Sequence, residues 1–468
     1  MHVRSAFKHN ILRREPLKKV MVLRVLPQHL TVMGALALSL FLLTFMAVYP
    51  ERAHAQEEDY RTGELVVRLD PGVTITRFLN LYPTLERLDG GLPHNLASRN
   101  IYLLEAPAST NVRSFAQNLL ANEPLVDGIA EPNFVASTPE YAAGDGRMRA
   151  RGISSNKQSS EANATFATNL NLSTCSRNIK GATVAVLDTG AQLNHPRLTS
   201  NFKGVTRNDY DFVANDATPS DELFYTDESG NSVEGQMAGH GTHVTGIVDQ
   251  VAPEAKIMAL RVLDPEGTGD VYTVARAIAY AVDQGVEVIN LSLGTSEHSE
   301  LLEAMVEEAT GENVVVTAAA GNSNIEEPHY PAAGRYNMLD ALLRNPIDDG
   351  LLGVTSLDKA KLPRTEKSEF ATYGFWVDVS APGEDIRSTY LRDKYANWSG
   401  TSMATPFISG QAALIRATNA SLTSGDIELR IRTSSNKAIY DLLWHGLLYK
   451  SKYEDKLGAG HADVCASL

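Results

Sequence analysis

The hydropathy pattern opens with an uncharged apolar run from about Leu30 to Tyr49. Before it stand Arg4, Lys8, Arg13, Arg14, Lys18, Lys19 and Arg24, and after it comes Ala53-His54-Ala55. A basic start, an apolar centre and an A-x-A site describe a signal peptide over residues 1–55. The run is nearly long enough to cross a bilayer, so a membrane anchor over residues 30–49, with its basic flank kept in the cytoplasm, is the alternative.

From Gln56 to about Glu140 the pattern is that of a small α+β unit. Glu64–Leu69 alternates as a strand does, and Thr76–Leu88 places Phe78, Leu79, Leu81 and Leu85 on one side of a predicted helix. Ile101–Leu104 predicts a second strand, Ser114–Asn122 a second helix and Gly128–Val135 a closing strand. Residues 141–175 then read as a flexible linker. Ala142 to about Thr168 is rich in Gly, Ser, Asn and Ala, with Arg147, Arg149 and Arg151 exposed, and such a segment is readily cut by proteases.

Residues 176–468 change character. Continuous apolar strands at Ala182–Leu187, Lys256–Val262, Val286–Leu291, Asn313–Ala318 and Leu351–Val354 alternate with helical stretches such as Val271–Gln284 and Glu300–Glu307. This alternation predicts an α/β domain of three layers, with a mainly parallel central sheet covered on both faces. Functional groups in such sheets gather at the carboxyl ends of strands.

The net charge is −14, and since residues 1–55 carry +6 the remainder carries −20. An acidic body argues against nucleic acid as a partner. Cys175 and Cys465 are too few for a disulfide scaffold and too far apart for a zinc-ligand pair. A bridge between them in an exported protein and two free thiols both remain open.

Three segments carry chemistry. Asp188 ends the strand Thr183–Leu187, where a carboxylate could orient a neighbouring group or merely cap a loop. Gly239-His240-Gly241-Thr242-His243 opens a helix; a zinc peptidase would use His-Glu-x-x-His, and no Glu lies between these histidines. Gly400-Thr401-Ser402-Met403-Ala404-Thr405-Pro406 places a serine among small residues at a helix start, where N–H groups face developing negative charge. Pro406 is expected within the first turn, where a missing N–H costs nothing.

In the order Asp, His, Ser these segments resemble the subtilisin-like (subtilase) family over about residues 180–468. The resemblance implies a serine endopeptidase with Asp188, His240 and Ser402 as its triad and Asn322, in Ala318-Ala319-Ala320-Gly321-Asn322, as the side-chain donor of its oxyanion hole. It implies that Ser292-Leu293-Gly294 pairs with the substrate backbone, faced by Gly267-Thr268-Gly269, and that Pro328–Ala332 edges the primary pocket, with His329 narrowing it. His243 is expected to pack within its helix. Residues 56–140 correspond to an inhibitory and folding-assisting propeptide, an intramolecular partner removed at a maturation site in the linker. A secreted monomer acting on protein or peptide substrates follows, with no cofactor for the chemistry. A structural calcium at Asp211–Pro219 is the one metal suggested, although Ala214 replaces an expected acidic ligand. Asp221, Glu222, Asp227, Glu228 and Glu234 then read as an insertion and a solvated loop, and residues 336–349 as extra surface sequence. A catalytically silent binding relative is disfavoured because all four catalytic positions are intact. An esterase is disfavoured because no Gly-x-Ser-x-Gly surrounds Ser402.

Overall fold

The computed structural model describes residues 59–143, 148–155, 172–202, 208–227, 229–334, 349–358, 366–444, 447–450, 453 and 455–468. The expected signal or anchor at 1–55, most of the linker, Glu228 and the insertion after Tyr336 lie outside them. Among the described residues no helix is long and apolar enough to cross a membrane.

The N-terminal module is an antiparallel sheet of β1 (Tyr60–Leu69), β2 (Ile101–Glu105) and β3 (Val126–Ser137), with β1 in the middle and the short strand Glu86–Arg87 beside β2. Its helices are α1 (Ile75–Leu81) and α2 (Val112–Asn122). The predicted helix over Thr76–Leu88 is therefore too long. It ends at Tyr82 because Pro83 follows, and the residue before a proline is pushed out of helical backbone. Leu65, Val67, Phe78, Leu104, Ala116 and Leu119 form the module's own core.

The larger domain has a parallel sheet ordered β9 (Leu351–Asp358), β8 (Val315–Ala319), β7 (Val288–Leu291), β4 (Thr183–Asp188), β5 (Lys256–Arg261), continued by Tyr210–Asp211. An antiparallel pair, Glu366–Lys367, closes the other edge, and β10 (Val379–Pro382) adds to β9. Every residue of β7 and β8 is buried, because apolar layers cover both faces. One layer holds Val244, Ile247, Phe407 and Ile408 from α4 (His240–Val251) and α7 (Thr401–Thr418). The other holds Val274, Ile278, Leu302 and Met305 from α5 (Val271–Asp283) and α6 (Glu300–Gly311). This is the three-layer architecture expected.

The linker is less open than its composition suggests. Met148 is buried and its carbonyl accepts a hydrogen bond from the Trp398 indole, while Arg151–Ser154 adds as a strand to Lys394–Trp398. Cys175 and Cys465 form a disulfide with Cα atoms 5.5 Å apart.

Candidate active site

Asp188 stands at the carboxyl end of β4 and is fully buried. The chain turns away through Gly190, whose φ of +107° suits glycine, and a Cβ there would lie 2.7 Å from the Pro219 carbonyl. Asp188 Oδ1 accepts hydrogen bonds from Thr189 N–H at 2.7 Å and from His240 Nδ1 at 2.7 Å. His240 is the first residue of α4. Its position depends on a residue that reads in the sequence as part of a solvated loop. Asp221 is buried and accepts hydrogen bonds from Gly239 N–H, Thr242 N–H, the Thr242 hydroxyl and the Thr189 hydroxyl, at 2.9, 2.9, 2.7 and 3.2 Å. It thus ties the first turn of α4 to the turn after Asp188. Burial pushes its carboxyl up to about 6, against the pull of those hydrogen bonds. Its partners lie 18 to 32 residues away, a signal no local pattern carries.

Ser402 is the second residue of α7. Pro406 lies past the first turn, not within it as the sequence reading has it. A proline there leaves the carbonyl four residues earlier, that of Ser402, without its helical donor. The Ser292 hydroxyl supplies the missing bond at 2.9 Å. The kink-prone position therefore fastens α7 to the segment Ser292-Leu293-Gly294. The Asn322 side chain is set by its own oxygen, which accepts from Thr401 N–H at 2.9 Å and from the Thr401 hydroxyl at 3.0 Å. Its Nδ2 is thereby aimed at the space in front of Ser402.

That space is filled from the N-terminal module. Glu140, buried, accepts a hydrogen bond from Ser402 Oγ at 2.7 Å and one from Asn322 Nδ2 at 3.1 Å. His240 Nε2 stands 3.3 Å from the same carboxylate as an ion-pair contact, and makes no hydrogen bond. A Cβ at Gly400 would come within 1.6 Å of Glu140 Oε1, so only glycine leaves room for this approach. Burial works against charge on His240, but the nearby Asp188 and Glu140 carboxylates outweigh it and raise the imidazole to about 10. His243 is driven the other way, down to about 3, by burial and by the proximity of His240. It lies near the Ile386 and Ala396 carbonyls as a packed neutral ring.

The segments read as substrate-binding come together around the same tail. β3 pairs antiparallel with β6 (Thr268–Asp270), with Thr268 opposite Ser137 and Gly269 opposite Ala136. On the other side Ser137 exchanges both backbone hydrogen bonds with Gly294, each 2.9 Å, and Thr138 N–H donates to Gly267 O at 2.9 Å. Leu293 is buried beneath. His329, beside Gly294 and Gly321, has its Nδ1 3.1 Å from Ala319 O, and burial lowers it to about 4, leaving it neutral.

The proposed calcium loop is a poor fit for the ion. Asp211 Oδ1 accepts the N–H groups of Val213 and Ala214, Asp211 Oδ2 pairs with Arg261 at 3.0 Å, and Asp216 accepts Thr218 N–H. The second guanidinium arm of Arg261 reaches Glu222 at 3.0 Å. Of the loop's two carboxylates, Asp211 is paired with the Arg261 guanidinium and Asp216 holds the Thr218 N–H.

Comparison with known proteins agrees with this geometry. Residues 179–458 match Peptidase_S8, the Subtilase family, and the chain belongs to that family. It is 39% identical to thermitase of Thermoactinomyces vulgaris over 267 residues, 55% of this chain and 82% of that one. It is 34% identical to Subtilisin Savinase of Lederbergia lenta over 264 residues, 54% of this chain and 83% of that one. In structure it resembles fervidolysin of Fervidobacterium pennivorans, a keratinolytic enzyme related to subtilisin, with a TM-score of 0.64 over 89% of this chain and 62% of that one at 19% identity. The protein is a serine endopeptidase whose substrates are proteins or peptides.

Proposed function

We propose that this chain is the precursor of an exported endopeptidase that removes its own N-terminal module. Ser402 Oγ attacks the scissile carbonyl and forms an acyl-enzyme. His240 takes the serine proton and returns it to the leaving amine, and Asp188 fixes the imidazole tautomer and stabilises its charged form. Asn322 Nδ2, with the Ser402 N–H, receives the oxyanion. Water then releases the acyl group by the same steps in reverse order.

The observation that carries this reading is the Asp188–His240 bond at 2.7 Å beside a buried Ser402, with the module's tail lying as an added strand between Thr268–Asp270 and Gly294. Residues 56–140 act as inhibitor and folding aid, since Glu131, Asn133 and the tail are all used in docking on the domain. Calcium is not assigned a role. Secretion through residues 1–55 is supported by the basic-apolar-small order of that segment and by a disulfide, which persists in oxidising compartments. The enzyme acts as a monomer.

Hydrolysis of a denatured protein and of a short ester, each by the native enzyme and by Ser402→Ala, tests this. The native enzyme cleaves both and the variant neither. Ester hydrolysis without protein hydrolysis would replace the endopeptidase reading with that of a general hydrolase.

A further inference from the structure

The module's tail is bound as a substrate strand, yet it is threaded in a form that Ser402 is unable to cut. In an antiparallel ladder, hydrogen-bonded pairs recur at every second residue. Ser137 exchanges both bonds with Gly294, so the next pair in register is residue 139 with Ser292. Residue 139 is proline and has no N–H to give. The Ser292 carbonyl instead faces Ser402 Oγ at 3.2 Å.

Beyond that point the strand ends and α3 (Pro139–Ala142) begins, with Thr138 as its N-cap and Pro139 in its first turn. The Pro139 carbonyl is the group that continued threading would bring to the nucleophile. It accepts the Ala143 N–H at 3.1 Å inside the turn. In its place the Glu140 carboxylate takes the Asn322 donor and the Ser402 hydroxyl proton, at 3.1 and 2.7 Å. Ser402 therefore directs its proton at a carboxylate rather than at the base, and His240 faces Glu140 without a hydrogen bond.

We propose that Glu140 is an internal carboxylate latch, which occupies the oxyanion site of the intact precursor and blocks attack until the α3 turn lifts out. The inference rests on the protease reading above and adds to it a named inhibitory group and a forbidden bond, Pro139–Glu140. The first cut falls in the chain after Ala143, where a peptide carbonyl can reach the site only once Glu140 has left it.

The test uses the full-length precursor, as wild type, Glu140→Gln and Glu140→Ala, exposed briefly to a fluorophosphonate. That probe phosphonylates Ser402 Oγ with loss of fluoride, and intact mass separates labelled precursor from labelled mature enzyme. The latch predicts that label on uncut precursor rises by roughly tenfold or more in both variants, with faster self-cleavage. It also predicts that the wild-type mature N-terminus lies beyond Ala143.

The isosteric Glu140→Gln keeps the shape of the turn. It should lower the His240 ring titration in uncut precursor, followed by NMR, by roughly 1–3 pH units; the Asp188, Asp221 and His243 groups that also face His240 are unchanged. Equal labelling in all three precursors, an unmoved His240 titration, or a mature chain beginning at or before Ala143 would each overturn the latch. Mature enzyme that takes no label would sink the protease reading instead, so the two failures are distinct.

Discussion

Asp188, His240 and Ser402 stand out in the sequence at a strand end and two helix starts, but their roles, and that of Asn322, are legible only through the resemblance that their joint order carries. Glycine or other small neighbours flank them for steric reasons. Asp221 is not legible, since four hydrogen bonds from distant residues give it its importance. Asp221→Asn retains the volume but removes an acceptor oxygen from the support under His240. We expect kcat to fall by about 10- to 100-fold with KM little changed, consistent with roughly 1–3 kcal/mol for a damaged buried polar group. Steady-state kinetics of the mature enzyme decide this; a raised KM with unaltered kcat would place Asp221 outside the support of His240. Asn322→Ala should lose about 10²–10³ in kcat, the range known for the corresponding loss in subtilisin. His329 lies beside Gly294, where the family resemblance puts the edge of the primary pocket, and we propose that it narrows that pocket. His329→Ala should therefore raise kcat/KM for large aromatic side chains before the cut by about 10-fold or more, read from peptides differing only at that residue.

At the scale of elements, strands and helices of the larger domain were readable because buried parallel strands are continuous apolar runs. The helix after Thr74 was overextended because the leucines beyond Pro83 continue the apolar spacing although the backbone does not. Two of the module's side chains cap helices of the other domain, a role that spacing within either segment does not reveal. Asn133 Oδ1 accepts the Tyr272 N–H at the start of α5. Glu131 accepts from the Ser299 hydroxyl and from the N–H groups of Glu300 and Leu301 at the start of α6, at 2.6, 2.8 and 3.3 Å.

Burial raises Glu131 to about 7, opposed by those hydrogen bonds. Once the module leaves, Glu131 returns toward an ordinary glutamate near 4.5. The docked form thus holds more protons between these two values, and docking weakens as pH rises from about 4.5 through 7. After self-cleavage, more of the module should co-elute with the mature enzyme at pH 5 than at pH 8. Glu131→Gln should flatten that dependence; an unchanged profile would assign it to other groups.

The whole molecule joins an acidic α/β domain, a docked module and one disulfide that the sequence left open. Cys175 and Cys465 are 290 residues apart, so the bridge restricts a long loop of the unfolded chain. Its loss should cost roughly 3–5 kcal/mol and lower the Tm of the mature enzyme by about 5–10 °C, seen by melting with and without reductant. The family resemblance implies an inhibitory module, but the residue pattern alone places its tail only before a linker. That it lies in the cleft, and turns helical at Pro139, depends on pairings between residues more than a hundred positions apart.

On the function proposed above, Ser402 drives the conversion of this chain into an active endopeptidase. Intact mass of the purified full-length protein, beside its Ser402→Ala variant, tests it most directly. The native chain should lose the N-terminal module and begin after Ala143, while the variant keeps the module. If both chains are shortened alike, or neither is under conditions where the native protein hydrolyses casein, self-processing by Ser402 is contradicted.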